Sequence, residues 1–189
     1  MAGPADSATA DVALLSRVAG RDQDALAALY DRHHRLLFSV ILRILRDRGE
    51  SEDVLQEVFV RVWDRADTYS PALGSPSSWL VRVARNRSID RLRARQVRSG
   101  IADPIENAPA AADETPAGNP EILAAQSELG RTVRTVMSEL PPEQRVLIEA
   151  AYFDGYTQSE LSERFQMPLG TVKTRIRSAM QTLRERLAR

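Results

Sequence analysis

The sequence contains no cysteine. This absence excludes a disulfide framework, a thiolate metal site and a cysteine nucleophile, and with them the secreted disulfide scaffold and the zinc module. Nowhere do about 18 apolar residues follow one another, as a membrane-spanning helix requires. The start, from Met1 to Leu15, also lacks the basic segment of a signal peptide. We therefore expect a cytoplasmic protein with no direct membrane insertion.

Lysine is nearly absent too, because Lys173 is the only one and arginine supplies the rest of the 26 basic residues. These balance 26 acidic residues overall, but the charges are unevenly placed. Residues 82–98 hold seven arginines against Asp90 alone, and residues 171–189 are also strongly basic. Residues 99–130 between them hold acids and no base. Two basic blocks suggest two contacts with one polyanion, although two solvated helix faces are an alternative.

The middle of the chain marks a boundary between two domains. Residues 101–120 hold four prolines, a glycine and a run of alanines, with no sustained period of 2 or 3.6. Such composition is typical of a flexible linker. We predict an N-terminal tail with a first partial helix at 1–23, a helical domain at 24–98, a flexible acidic linker at 99–121, and a second helical domain at 122–189.

Both flanking segments show helical periodicity and no convincing strand, which predicts an all-α protein of two small helical domains. In the first segment we expect a helix from Asp24 to Arg48 that stops at Gly49. Ser51 is the expected N-cap of the next helix, and Ser75 with Pro76 begins another. Trp79 opens an apolar stripe and is expected to be buried.

The second segment contains a helix-turn-helix pattern. We predict helices at 122–138 and from Pro142 to near Gly155. Thr157 and Glu160 then form a capping box, a short turn follows at 166–170, and Thr171 is the expected cap of the last helix. An ordinary helical hairpin is the alternative interpretation.

The last helix has an apolar and a polar side. Val172, Ile176 and Ala179 share one face, with Leu183 and Leu187 further along, and should face the core. Arg175 at the flank suits a phosphate. The residues that then face outward in the first two turns, where a recognition helix contacts bases, are Lys173, Thr174, Arg177 and Ser178.

Arginines also recur along one side of the third helix. Arg87, Arg91 and Arg95 follow the spacing i, i+4 and i+8, which weakens an isolated helix and which a polyanion would relieve. Tyr69 and the polar residues ahead of that helix offer groups that can hold unstacked single-stranded bases.

Three motifs follow one another along the chain. The first is the run from Asp53 to Trp63. The second joins Trp79-Leu80 to Ala84-Arg85-Asn86 and 89–93. The third is Leu140-Pro-Pro-Glu143-Gln with 156–161 and 170–176. In this order they resemble the extracytoplasmic-function group of bacterial sigma factors, which direct RNA polymerase to promoters. The resemblance covers residues 24–98 and 122–188.

The resemblance implies a role for each domain. The first would dock on the core RNA polymerase and hold the melted minus-10 element of promoter DNA, with neighbouring arginines on phosphates. The second would read the minus-35 element as duplex. The linker would thread toward the RNA exit channel, and an anti-sigma factor, possibly membrane-anchored, would clamp the two domains.

The same resemblance assigns individual residues. The residues implied in core polymerase binding are Asp53, Gln56, Glu57, Phe59 and Arg61. Those implied in minus-10 binding are Tyr69, Ser75, Arg85, Asn86, Asp90 and Arg93. The implied phosphate contacts are Arg87, Arg91, Arg95 and Arg175. Those implied in minus-35 binding are Thr171, Lys173, Thr174, Arg177 and Ser178.

An enzyme is disfavoured by the residues present. His33 and His34 are adjacent, so a helix points them apart, and we expect solvated surface side chains rather than metal ligands. There is no glycine-rich phosphate loop and no triad setting, and we expect neither metal nor cofactor. The remaining alternatives are a free-standing helix-turn-helix regulator, which has no use for a polymerase-docking face, and a protein-binding adaptor, which leaves the basic blocks unexplained.

Overall fold

The computed structural model describes residues 4–99 and 135–187. The chain divides into two compact units, Met1–Pro109 and Ala110–Arg189. Every regular element within the described ranges is helical, which confirms the all-α prediction. None of these helices is both long and apolar enough to cross a membrane. Apart from Ser99, the predicted linker at 99–121 lies outside the described residues, as does most of the predicted helix at 122–138.

The first unit is a bundle in which α2 packs against the three other helices. Two single 3-10 turns, Ala66–Thr68 and Pro71–Leu73, connect α3 to α4. The core is formed by fully buried aliphatic side chains, among them Leu29, Leu37, Ile41, Val54, Val58, Val62 and Leu80. The four helices are α1 (Pro4–Ala19), α2 (Gln23–Leu45), α3 (Arg48–Arg65) and α4 (Pro76–Ser99).

The segment expected to be a tail with a partial helix contains the complete helix α1, which packs on the rest of the bundle. Its residues Leu15 and Val18 are buried. Asp11 is buried as well and accepts a hydrogen bond from Arg32 Nε at 2.6 Å. His33 Nε2 lies 2.8 Å from the other Asp11 oxygen, and this histidine is only 8% exposed. The expectation of a solvated His33 is therefore wrong, because α1 covers the ring and gives it a polar partner.

The break between α2 and α3 lies at Arg46 and Asp47 rather than at Gly49 and Ser51, so both of those predictions are wrong. Arg46 ends α2 in the left-handed conformation, with φ 54°. The Asp47 carboxylate caps α3 by accepting the backbone N–H of Glu50 at 2.8 Å. Ser51 lies buried inside the helix and donates its hydroxyl to the Asp47 carbonyl.

The predicted start of α4 is confirmed. The helix begins at Pro76, and the Ser75 hydroxyl accepts the backbone N–H of Ser78 at 3.3 Å. Gly74 precedes it with φ 129°, a conformation that side chains disfavour. Trp79 is 8% exposed, as expected from its place in the apolar stripe.

The second unit carries the helix-turn-helix. Residues 135–139 are helical, and α5 (Pro142–Tyr152), α6 (Gln158–Arg164) and α7 (Leu169–Leu187) follow. The capping box of Thr157 and Glu160 is present at the start of α6. Thr171 lies within the first turn of α7 and does not cap it, because the helix begins three residues earlier than predicted. The core joins these helices through Leu147, Leu161, Val172, Ile148 and Ala179.

Candidate polymerase and nucleic-acid interfaces

One side of α3 presents exposed side chains along its length. Asp53, Gln56, Val60 and Asp64 follow the spacing i, i+3, i+7 and i+11, which places them on one face of a helix. Arg61 is exposed beside them, and the set lines a shallow groove between α3 and α4. Three of the residues predicted to bind polymerase are therefore adjacent and accessible.

Val60 was missed by the sequence reasoning although its side chain is 61% exposed. The available signal was that Val60 falls outside the apolar stripe that α3 buries. An apolar side chain among polar neighbours on an accessible helix face is a suitable anchor for a partner protein.

Phe59 lies beneath this face rather than on it. It is 6% exposed, and its ring centroid is 4.8 Å from that of Tyr30 on α2. The period of the helix turns the Phe59 side chain toward α2 while Gln56 and Val60 turn outward. Its contribution to any docking by the α3 face is thus to support the helix from the core.

Glu57 is engaged by two arginines of α4. Its carboxylate accepts Arg87 Nε at 2.6 Å through one oxygen and an Arg91 terminal nitrogen at 2.7 Å through the other. The hydrogen bond from Arg87 is the main cause that lowers the pKa of Glu57, and the same bond raises the pKa of Arg87. The carboxylate predicted to contact polymerase therefore also joins α3 to α4.

Arg95 completes this arginine stripe in the same manner. It lies 3.0 Å from the Glu50 carboxylate and donates to the Leu45 carbonyl at 3.3 Å. The repulsion expected among Arg87, Arg91 and Arg95 is thus relieved by acids of α3, without a polyanion. The three arginines predicted to contact phosphates are therefore paired with the bundle's own carboxylates in this structure.

The side of α4 that faces away from Arg87, Arg91 and Arg95 is accessible to solvent. Arg82, Asn86, Asp90 and Arg93 are exposed and recur at i, i+4, i+8 and i+11. Arg85 is half-buried, with a terminal nitrogen 3.5 Å from the Asn86 side-chain oxygen. Of the four α4 residues predicted to bind the minus-10 element, three therefore share one exposed face.

The loop ahead of α4 is held by its own side chains. The Tyr69 hydroxyl donates to the Gly74 carbonyl at 3.1 Å, and the Tyr69 ring packs edge-on against Trp79 at 5.9 Å. Ser75 is occupied by the cap of α4 but remains exposed. Leu73, which the sequence reasoning did not single out, is 73% exposed at this loop.

In the second unit α7 presents its predicted outer face. Lys173, Thr174, Arg177 and Ser178 are exposed, while Val172 is fully buried. The Thr174 hydroxyl donates to the Gly170 carbonyl at 2.9 Å, so its oxygen remains available as an acceptor. Thr171 is half-buried.

Arg175 at the flank of α7 pairs with Glu143 of α5 at 2.6 Å. Glu143 is mostly exposed, and such surface pairs contribute only about 0–1 kcal/mol. A phosphate could therefore replace this carboxylate at small cost, unlike the carboxylates that hold the arginines of α4 from within the bundle.

No group of three or more histidine, aspartate or glutamate side chains is placed to hold a metal ion within residues 4–99 and 135–187. The exposed faces of the described residues lie on α3 and α4 of the first unit and on α7 of the second.

Comparison with known proteins matches two segments of the chain to described families. Residues 29–98 match the family described as Sigma-70 region 2, and residues 136–185 match Sigma-70 region 4. The chain is 36% identical to the ECF RNA polymerase sigma factor SigK of Mycobacterium tuberculosis strain H37Rv, over 97% of each chain. It is also 36% identical to SigK of Mycobacterium sp. strain KMS, over 90% of this chain and 87% of that one.

Among solved structures, SigE of Rhodobacter sphaeroides in complex with the anti-sigma ChrR is 30% identical, with a TM-score of 0.46. That similarity covers 94% of this chain and 98% of SigE. Region 2 corresponds to the bundle with the α3 and α4 faces, and region 4 to the helix-turn-helix. With both regions present in order and one relative matched almost from end to end, the chain belongs to the extracytoplasmic-function (ECF) RNA polymerase sigma factors, proteins of transcription initiation.

Proposed function

We propose that this sigma factor binds core RNA polymerase through the exposed α3 face formed by Asp53, Gln56, Val60 and Arg61. The observation that carries the proposal is the continuity of this face, which runs along α3 with an apolar centre and charged flanks. A stripe of this shape suits a partner helix laid along it, with basic side chains opposite Asp53. The family resemblance makes that partner the coiled coil of the largest catalytic-core subunit of the polymerase.

For the minus-10 element we propose the exposed face of α4 together with the loop that precedes it. Asn86, Asp90 and Arg93 supply hydrogen-bonding groups on one helix face, and Leu73 and Tyr69 supply apolar surface nearby. Unpaired bases are held by this combination of stacking surface and polar groups, whereas a duplex would hide the ring faces and the Watson–Crick edges of its bases. Arg82, on the same face as Asn86, is the more suitable phosphate contact, because Arg87 and Arg91 are paired with Glu57.

For the minus-35 element we propose that α7 enters the major groove. Lys173, Thr174, Arg177 and Ser178 would face base edges, since they lie in the first turns of the second helix of a helix-turn-helix. Arg175 would exchange Glu143 for a phosphate on the flank.

We further infer that the chain acts in the cytoplasm as a binding factor with no catalytic activity of its own, since its family serves transcription initiation. An anti-sigma factor is the proposed regulator, supported by family membership and by the accessible faces on both units. Purification of the protein from its native host, with and without stress, tests this. A small partner bound in one condition is expected, and its absence in all conditions would count against the proposal.

The test of the polymerase face is a binding titration with core polymerase. Gln56→Ala is expected to weaken binding by about tenfold or more if Gln56 lies at the centre of the interface. Asp31→Asn is the control, because Asp31 is exposed on α2 and does not belong to the α3 face. Equal affinities for both variants would contradict the assignment.

A further inference from the structure

We propose that Glu57 is a positioning residue for promoter melting, which holds α4 through Arg87 and Arg91 so that the opposite face of α4 meets the minus-10 strand. The inference rests on the proposed function, in which α3 binds polymerase and α4 binds the melted strand. It differs from the sequence assignment, which made Glu57 a polymerase contact and the two arginines phosphate contacts.

The geometry of the three side chains carries the first step. Each Glu57 oxygen accepts one guanidinium group, at 2.6 Å from Arg87 and 2.7 Å from Arg91. All three side chains are at least about two-thirds buried. One carboxylate thus fixes two successive turns of α4 against α3, and charge-assisted pairs of this kind are strong and directional.

The ion pairs of Glu57 with Arg87 and Arg91, called here the Glu57 tie, lie beside a further contact between α3 and α4. Arg95 pairs with Glu50 further along α4, so α3 holds this helix at three successive turns. The exposed Asn86 and Asp90 lie directly before Arg87 and Arg91 in the chain. A rotation of α4 that followed loss of the Glu57 tie would therefore move the two side chains proposed to meet the bases.

The pairing with Glu57 also disfavours a role for Arg87 and Arg91 as phosphate contacts. A guanidinium that reaches a phosphate must leave its carboxylate. Glu57, which is about two-thirds buried, would then lose one of its two partners, and this is unfavourable. Arg91 is the more buried of the two arginines, with 23% of its side chain exposed. Its place is thus better suited to holding a helix than to following a DNA backbone.

The experiment uses the full chain assembled with core polymerase and separates two quantities. The first is the affinity for core. The second is the fraction of promoter opened at saturating holoenzyme, read from 2-aminopurine fluorescence in the minus-10 element. For Glu57→Gln we expect about three- to tenfold less opening, with the affinity for core changed by less than about threefold.

Further variants make the result specific to the tie. Arg91→Gln should reproduce the opening defect. The double variant with Glu57→Gln should be no worse than the more impaired single variant, because Glu57→Gln already removes the Arg91–Glu57 pair. Asp31→Asn removes an exposed carboxylate from α2, outside both proposed faces, and should leave both quantities unchanged.

Two outcomes would overturn the proposal. Weaker core binding by Glu57→Gln with normal opening at saturation would make Glu57 a polymerase contact only. The second outcome combines two results: Glu57→Gln binds DNA more tightly than the wild type, and the slope of log affinity against log salt for Arg91→Gln falls by about one phosphate contact. Together these results would make the arginines phosphate contacts. If Glu57→Gln loses its cooperative unfolding transition, Arg91→Gln tests the proposal instead, through its affinity for core and the fraction of promoter that it opens at saturation.

Failure of the proposed function is distinguishable from failure of this inference. If Gln56→Ala leaves the affinity for core unchanged, the α3 face is not the polymerase site. The opening defect of Glu57→Gln would in that case still report on the coupling of α3 to α4.

Discussion

The helix α1 should be an integral part of the polymerase-binding unit, and Leu15→Ala tests this. Leu15 is 1% exposed. The substitution removes three carbon atoms from the core, worth about 2.4 kcal/mol at about 0.8 kcal/mol each. Incomplete collapse of the cavity raises the expected loss in the free energy of unfolding to about 3–4 kcal/mol.

Tryptophan fluorescence during urea unfolding isolates this effect, because both tryptophans, Trp63 and Trp79, lie in the first unit. At about 1–3 kcal/mol per M urea, a loss of that size lowers the transition midpoint by about 1–4 M. Ala13→Ser is the control, since Ala13 is exposed on the same helix. A midpoint for Leu15→Ala within about 0.3 M of the wild type would refute the packing of α1, and with it the argument that residues 4–19 are more than a tail.

Three further predictions follow from single contacts. The pKa of Glu57 is lowered, so its contribution to stability is complete above its ordinary pKa of 4.5 and is lost as the pH falls below that value. In Glu57→Gln the stability of the first unit should therefore depend less on pH in the acid range, as measured by tryptophan fluorescence. Thr157→Ala should cost the second unit about 1 kcal/mol through loss of the capping box, seen as a lower urea midpoint in circular dichroism. Arg177→Ala should change the preference among minus-35 sequences by about 1–3 kcal/mol in competition binding, whereas Arg175→Ala should weaken all sequences alike; the reverse pattern would exchange their roles.

Local patterns predicted those parts of the fold that depend on local contacts. The capping box at Thr157 and the start of α4 at Ser75 involve residues within one helical turn of each other, so the chain alone specifies them. The break at Asp47 was equally local, because an aspartate followed three residues later by Glu50 is itself a capping pattern. The error there came from the weight given to Gly49 as a helix stop.

The roles of the arginines of α4 could not be predicted in the same way. Their spacing shows that Arg87 and Arg91 share a side of the helix, but Glu57 lies about thirty residues earlier, and only the packing of α3 against α4 brings it within 2.7 Å. His33 is a similar case, because its burial depends on Asp11 of a helix that the sequence pattern indicated only in part.

Transcription from a promoter of the host with purified core polymerase tests the central claim most directly. The wild-type chain should direct initiation at a defined start. A variant with Asp53→Asn, Gln56→Ala and Arg61→Ala should fail to do so while keeping its unfolding curve and its affinity for minus-35 duplex. If the wild type binds that duplex but neither associates with core polymerase nor supports initiation, the chain acts as a free-standing regulator and the account is contradicted.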